Sequence, residues 1–401
     1  MFLNLNKSNL TQLVNSLPIL WFFTGFLLVS NGQTYLAYFL VTASIYNIAT
    51  KQGFRCSFRN KYLVFPLLAY AIVLALNYLY TKEFWVVIRS TLYFIPFALT
   101  TPIHRGSVKK LALSLPLFSI TIAFLYMYTS YSLGSERGLE SSGLNPIPLA
   151  TVMLFQLSIM ISSLIYFKYS KSSKLFIIVG MIFLFFSIIQ TETRSAWLCL
   201  LVISITFSLV YIYKPNINYS TKRIFCTLLM FILIFFLFTS DSFTNRVNKT
   251  KQEIELITSG NYKTSIGIRF ELWEHSLGII KENWYIFPAQ EHEIETYFKN
   301  KVKEGKANKG TLKHIGNSHN QYINAWLRSG LLGLVATLGI IIIPVYEVTK
   351  KYGYKNGILT ISIGSVVFVS GLTEVPLIQI AAYQAFLMSM LISFIIVDKR
   401  T

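Results

Sequence analysis

Cysteine is nearly absent, with three in 401 residues. Cys56 falls in a connection and Cys199 and Cys226 within apolar runs, so no disulfide framework is available. Acid is scarce too: 17 Asp and Glu stand against 36 Lys and Arg, a formal charge of +19. In a soluble chain that imbalance would point to nucleic acid. Here the basic residues cluster in short connections between apolar runs, so they read as topology signals and no nucleic-acid partner is expected. The five histidines, His104, His275, His292, His314 and His319, show no compact ligand spacing with carboxylates or thiols, and no metal or cofactor is expected. No small-residue cleavage pattern follows the first apolar run, which therefore reads as an uncleaved first span. No convincing repeat relates the two halves, which counts against a repeat-built transporter.

What is present is apolar sequence. Hydrophobic residues make up 53% of the chain and aromatic residues 15%, with a mean hydropathy of +0.52. This composition predicts an all-α polytopic membrane protein. Twelve spans are expected, near 14–30, 33–49, 62–80, 84–101, 111–129, 146–167, 174–190, 194–213, 222–239, 329–348, 357–373 and 378–397. With the N-terminus inside, alternate connections carry Lys51, Arg55, Arg59 and Lys61, then Arg105, Lys109 and Lys110, then Lys168, Lys171 and Lys174, then Lys214, Lys222 and Arg223, then Lys350, Lys351 and Lys355, and finally Lys399 and Arg400. The opposite short connections hold only Lys82, Arg137 and Arg194, which sets the orientation.

The chain thus divides into spans one to nine (1–239), a long outward loop with a helix re-entering the membrane (240–328), and spans ten to twelve (329–401). The loop holds most of the acidic residues. Amphipathic helices are predicted over 243–258, 265–282 and 292–305. A Lys/Gly-rich stretch, 299–313, reads either as a solvated run or as a segment that stays mobile until something anionic binds.

Candidate chemistry gathers where the loop returns. In Ile315-Gly-Asn-Ser-His-Asn-Gln-Tyr-Ile-Asn-Ala-Trp-Leu-Arg-Ser-Gly330, the spacing of Tyr322, Ile323, Trp326 and Leu327 gives one oily helix face. Asn317 or Ser318 is expected to cap that helix, placing His319 in its first turn, where the helix dipole favours a neutral, proton-accepting ring. Two arginines join it on the outward side, Arg194 at the mouth of the eighth span and Arg269 early in the second loop helix. A guanidinium stays charged and forks onto phosphate oxygens, so the pair suits a lipid-linked diphosphate. Each residue also has a plainer reading, as an interfacial histidine, a snorkelling arginine or a solvated loop charge. Arg89, inside the fourth span, either contacts substrate or snorkels. Arg328 either grips phosphate or marks the interface, and Arg137 either lines a donor entrance or sits in a solvated loop. Glu374, at the turn before the last span, is an odd acid placed to orient His319 or to pair an arginine.

Three short motifs, Thr193-Arg194-Ser195, Ser265-Ile-Gly-Ile-Arg269 and Ser318-His319-Asn320 with Gly330 and Gly333 after it, occur in this order within this topology. In them the sequence resembles the O-antigen ligase family, part of a superfamily that includes O-antigen polymerases and bacterial O-oligosaccharyltransferases. The resemblance implies a GT-C type membrane fold in the bacterial inner membrane, with a large periplasmic loop between spans nine and ten. It implies inverting, metal-independent transfer of a glycan from undecaprenyl diphosphate to the lipid A-core. By motif, Arg194 and Arg269 match the arginines that hold the diphosphate, and His319 matches the histidine that activates the acceptor hydroxyl. The chain departs from related sequences at Glu282-Asn-Trp-Tyr-Ile-Phe-Pro-Ala-Gln290, where a Pro and Gly-rich turn is usual, and at Asn317, where some carry a second histidine. A polymerase or a protein O-oligosaccharyltransferase is the alternative within the superfamily. A transporter or lipid flippase is the alternative outside it, and would bury charges mid-span.

Overall fold

A computed structural model describes residues 7–29, 31–50, 60–103, 105–133, 145–212, 241–283 and 288–397. The ninth expected span, at 222–239, and Arg137 lie outside these residues. The described residues contain helices and turns and no strand. In chain order the α-helices are α1 (Lys7–Phe23), α2 (Gly32–Ala49), α3 (Phe65–Thr81), α4 (Trp85–Thr100), α5 (Arg105–Leu111), α6 (Leu115–Leu133), α7 (Pro146–Tyr166), α8 (Lys171–Gln190) and α9 (Arg194–Ile212). They continue as α10 (Asp241–Thr258), α11 (Ser265–Asn283), α12 (Glu291–Lys303), α13 (Gln321–Tyr352), α14 (Ile358–Ser370) and α15 (Ile380–Val397).

Among the described residues six stretches are long and apolar enough to cross a bilayer: Lys61–Leu79, Arg105–Thr129, Pro146–Tyr166, Lys171–Gln190, Gln321–Tyr352 and Ile380–Val397. Trp85–Thr100, Arg194–Leu209 and Ile358–Ser370 are apolar but shorter. The first two expected spans correspond to α1 and α2. Buried asparagines interrupt both: Asn15 and Asn47 exchange side-chain hydrogen bonds of 3.1 and 2.7 Å across the helix pair. Such polar contacts between apolar helices contribute modestly, about 0.6 kcal/mol each.

The architecture is a helical bundle built around its last helix. In α15 94% of the apolar window is buried, and in α7 78%, against 33% in α8 and α13. The outer helices therefore show large apolar side chains to the surroundings. These include Leu175, Ile178 and Ile182 on α8 and Leu332, Val335 and Ile342 on α13. In water so much exposed apolar surface would drive association, whereas a hydrocarbon solvent accepts it. The bundle is consistent with a polytopic membrane protein.

Helices α10, α11 and α12 follow the expected loop helices closely. A second, smaller core joins them, formed by Leu272, Ile279, Ile280, Ala289, Ile294, Phe298 and Leu327. Leu327 belongs to α13, so the loop packs onto the returning helix. The Lys/Gly-rich stretch, expected to be either a solvated run or a segment mobile until an anion binds, takes a defined path. The buried Glu271 carboxylate accepts from the Asn308 backbone N–H at 3.2 Å, from Asn308 Nδ2 at 2.6 Å and from the Thr311 hydroxyl. The sequence signal for mobility was the lysine content, and a single carboxylate from another helix outweighs it.

The re-entry helix and the tenth span form one element, α13, broken at Gly330, whose φ of 66° and ψ of −174° only glycine adopts readily. At the break the helical ladder stops, and the freed carbonyls find other donors. The Leu327 oxygen accepts from the Ala289 backbone N–H at 2.9 Å. The Arg328 oxygen accepts from Asn77 Nδ2 of α3 at 2.6 Å. Gly333 is required one turn later because a Cβ there would lie 2.2 Å from Ser329 Cβ.

Candidate active site

Asn320 caps α13, its side-chain oxygen accepting from the backbone N–H groups of Tyr322 and Ile323 at 3.0 and 3.1 Å. The cap is neither Asn317 nor Ser318, and His319 precedes the helix instead of lying in its first turn. The reason is local. His319 adopts a left-handed φ of 48°, held there by Asn317 Oδ1, which accepts from the His319 backbone N–H at 2.7 Å. The electrostatic partner of the imidazole is accordingly a carboxylate more than a helix dipole.

That carboxylate is Glu374. Its Oε1 accepts from Arg269 Nη2 at 2.5 Å, and its Oε2 lies 3.6 Å from His319 Nδ1, too far for a hydrogen bond and close enough for strong attraction to an imidazolium. Glu374 is placed by the turn between α14 and α15. The loop side is pinned to the same turn: the Gln321 backbone N–H donates to the Gly371 oxygen at 2.7 Å, and Asn320 Nδ2 donates to the Leu372 oxygen at 3.0 Å. Trp273, one turn beyond Arg269, donates its indole N–H to the Ser318 oxygen at 2.9 Å. Arg269 and His319 are thus held from both sides.

Arg194 joins this arrangement at one remove. As the first residue of α9 it donates through Nη2 to Glu253 Oε1 at 2.9 Å, and Glu253 Oε2 accepts from the Ile266 backbone N–H at 3.1 Å. Ile266 lies in the first turn of the helix that carries Arg269, so one carboxylate ties Arg194 to the start of that helix. Among the described residues the buried Arg194 Nε has no hydrogen-bond partner. Exposure separates the two charge types. The side chains of Arg194, Arg269 and His319 keep 25%, 22% and 26% of their surface, while Glu253 and Glu374 keep 7% and 4%. Carboxylates lie beneath and cationic or basic groups face outward, an arrangement that offers donors to an anion.

The other expected site residues are placed differently. The Arg328 side chain is buried, paired with Glu83 and donating to the Ile315 oxygen at 2.7 Å. Its guanidinium therefore ties the loop to the turn between α3 and α4. Burial pushes the Glu83 carboxyl above the ordinary carboxylate range, and the Arg328 guanidinium draws it back. Arg89 is exposed on α4, without an ion pair among the described residues. The sequence reading missed Glu253, Glu83 and Asn77 as partners. A signal existed for Glu83, an acid in a short turn between two apolar runs, where a charge needs a partner. No sequence pattern singled out Glu253 from its charged helix.

The family described as O-antigen ligase matches residues 179–338 of this chain. That stretch contains Arg194, Glu253, Arg269, His319 and Arg328, while Glu83 and Glu374 lie outside it. The chain is also similar to an uncharacterized protein of Haemophilus influenzae, 28% identical over 366 residues covering 88% of each chain. It is similar to the O-antigen ligase of Escherichia coli, 26% identical over 212 residues, which are 52% of this chain and 48% of that protein.

Proposed function

From the premise that residues 179–338 carry the O-antigen ligase family domain, we propose that the protein is an inverting glycosyltransferase. It transfers a glycan from undecaprenyl diphosphate to a lipid A-core acceptor at the periplasmic face of the inner membrane, within a twelve-span GT-C type fold. The observation that carries this reading is the shared Glu374, which draws a phosphate-binding cation and a proton acceptor together at 2.5 and 3.6 Å.

The chemistry follows from those placements. The acceptor hydroxyl gives its proton to His319 Nε2 as its oxygen bonds to the anomeric carbon. The bond from that carbon to the diphosphate oxygen breaks, and the electron pair leaves with the diphosphate. Attack opposite the leaving group inverts the centre, and no second carboxylate nucleophile is needed. Arg269 and Arg194 receive the negative charge that grows on the diphosphate, and fixed donors in a partly dried site do this without reorganising. Glu374 stabilises the imidazolium formed on His319, as a carboxylate beside a base does in other proton-transfer sites. Because the partly exposed N–H donors of Arg194 and Arg269 are offered to the diphosphate, transfer is expected to persist in excess chelator.

The test is transfer by purified full-length protein supplied with lipid-linked glycan and lipid A-core. Glycan on lipid A-core is expected, and His319→Ala should lower its rate by about 10²–10⁴-fold. Longer chains on the carrier lipid with none on lipid A-core would make the protein a polymerase instead. Undiminished transfer by His319→Ala would remove the base.

A further inference from the structure

Helix α11 has two working faces. Arg269 and Trp273, one turn apart, look toward Glu374 and the Ser318 oxygen. On the opposite side Glu271, Glu274, His275 and Gly278 recur at three- and four-residue spacing and line a hollow of about 550 Å³. Its remaining walls come from the loop around Tyr262, from α12 and from the segment that follows α12. A helix about 10 Å across separates it from the His319 cluster, so it is not part of the reacting site. Its size falls among ligand sites, roughly 300–1,000 Å³.

The hollow is built, not a gap between loose chains. Glu271 is 5% exposed and fully engaged by Asn308 and Thr311, and His275 is 6% exposed with Nε2 against the Lys306 oxygen at 3.2 Å. Gly278 leaves room for Tyr297, whose hydroxyl would lie 2.6 Å from a Cβ at that position. Facing this frame are side chains with few partners of their own, the two lysines sharing Glu304 at 3.8 Å from Lys301 and 2.9 Å from Lys306. The Glu274 carboxylate and the Tyr262 side chain line the hollow, Glu274 close enough to act on the Tyr297 hydroxyl. The Lys301 ammonium sits 4.9 Å over the Tyr297 ring, and Lys306 stands beside it at the rim. Two aromatic rings, an acceptor for hydroxyl groups and two cations together match a sugar ring that carries an acidic substituent.

We propose that this hollow is a saccharide subsite, in which Tyr262 and Tyr297 pack against a sugar ring, Glu274 accepts its hydroxyls and Lys301 and Lys306 meet a phosphate or carboxylate on it. The binding site stands on its own geometry, and its use in glycan transfer rests on the transferase reading above. In that reading it grips saccharide remote from the reacting carbon, so it raises affinity without touching the chemistry.

Binding is measured on full-length protein in detergent with three soluble probes: deacylated phosphorylated core oligosaccharide, the same oligosaccharide after dephosphorylation, and O-polysaccharide free of carrier lipid. At least one probe is expected to bind the wild type and His319→Ala equally. The Glu274→Gln, Lys301→Gln double variant, altered at positions outside the small core, should bind it roughly tenfold more weakly or worse at an unchanged melting temperature. If the double variant unfolds, Tyr262→Leu on the facing wall should give the same loss. Preference for the phosphorylated core assigns the subsite to the acceptor, and preference for the polysaccharide assigns it to the donor. Wild-type protein that binds none of the three, or variants that bind as well as wild type, would overturn the subsite. Binding without any transfer would sink the transferase reading and leave the subsite standing.

Discussion

Ion pairs at the joint between loop and bundle differ in kind from those on the loop's outer edge. At the joint, Arg194 with Glu253, Arg269 with Glu374, His319 with Glu374 and Arg328 with Glu83 each connect a residue of the loop or re-entry helix to one of the bundle or its turns. Every one of these pairs has a buried or largely buried member. On the edge, Lys299 with Glu295, Lys301 with Glu304 and Lys306 with Glu304 join near neighbours, each pair with at least one exposed member. An exposed pair contributes about 0–1 kcal/mol, whereas removing one partner of a buried pair strands the other charge and costs about 3–5 kcal/mol. Charge at the joint therefore fixes geometry, and an edge pair such as Lys299 with Glu295 mostly keeps the surface wet.

The comparison breaks most visibly at Arg328. Arg328→Ala leaves Glu83 without its cation and the Ile315 carbonyl without its donor. Thermal unfolding in detergent should show a loss of about 3–5 kcal/mol, and a melting temperature equal to wild type would show that the pair is idle. Gly330→Ala should cost about 1–3 kcal/mol by forcing a side chain into the glycine-only break, read by the same scan. Arg269→Lys and Arg194→Lys retain charge but lose the fork. Each should lower transfer by roughly tenfold or more with a smaller effect on stability, and full activity in both would remove the clamp. The smallest effect belongs to the edge: Lys299→Gln should shift stability by no more than about 0.5 kcal/mol and leave transfer unchanged.

Much of this was legible in the sequence because it rests on period and sign. The apolar runs gave helices, the 3.6-residue pattern gave α10, α11 and α12 nearly to the residue, and the order of Arg194, Arg269 and His319 gave the family resemblance that the family match bears out. What escaped depends on tertiary pairing. Asn320 rather than Asn317 caps α13 because the Asn317 side chain engages the left-handed His319 backbone, while Asn320 Nδ2 reaches across to the Leu372 oxygen. Glu253 looked like one more charge on an amphipathic helix, and only its distance to Arg194 distinguishes it. Arg328 looked free to grip phosphate until Glu83, 245 residues away, was seen beside it. The Lys/Gly-rich stretch looked loose because its anchor, Glu271, lies on another helix.

The central claim is that His319 and Glu374 act as one unit, with Arg269 held by the same carboxylate. It is tested most directly by transfer rates for His319→Ala, Glu374→Gln and the two combined, measured on purified protein under one set of conditions. Residues that act as a unit are non-additive. The account predicts that Glu374→Gln is strongly impaired and that the combined variant is no slower than His319→Ala alone. Losses that multiply, or a Glu374→Gln variant as fast as wild type, would contradict it.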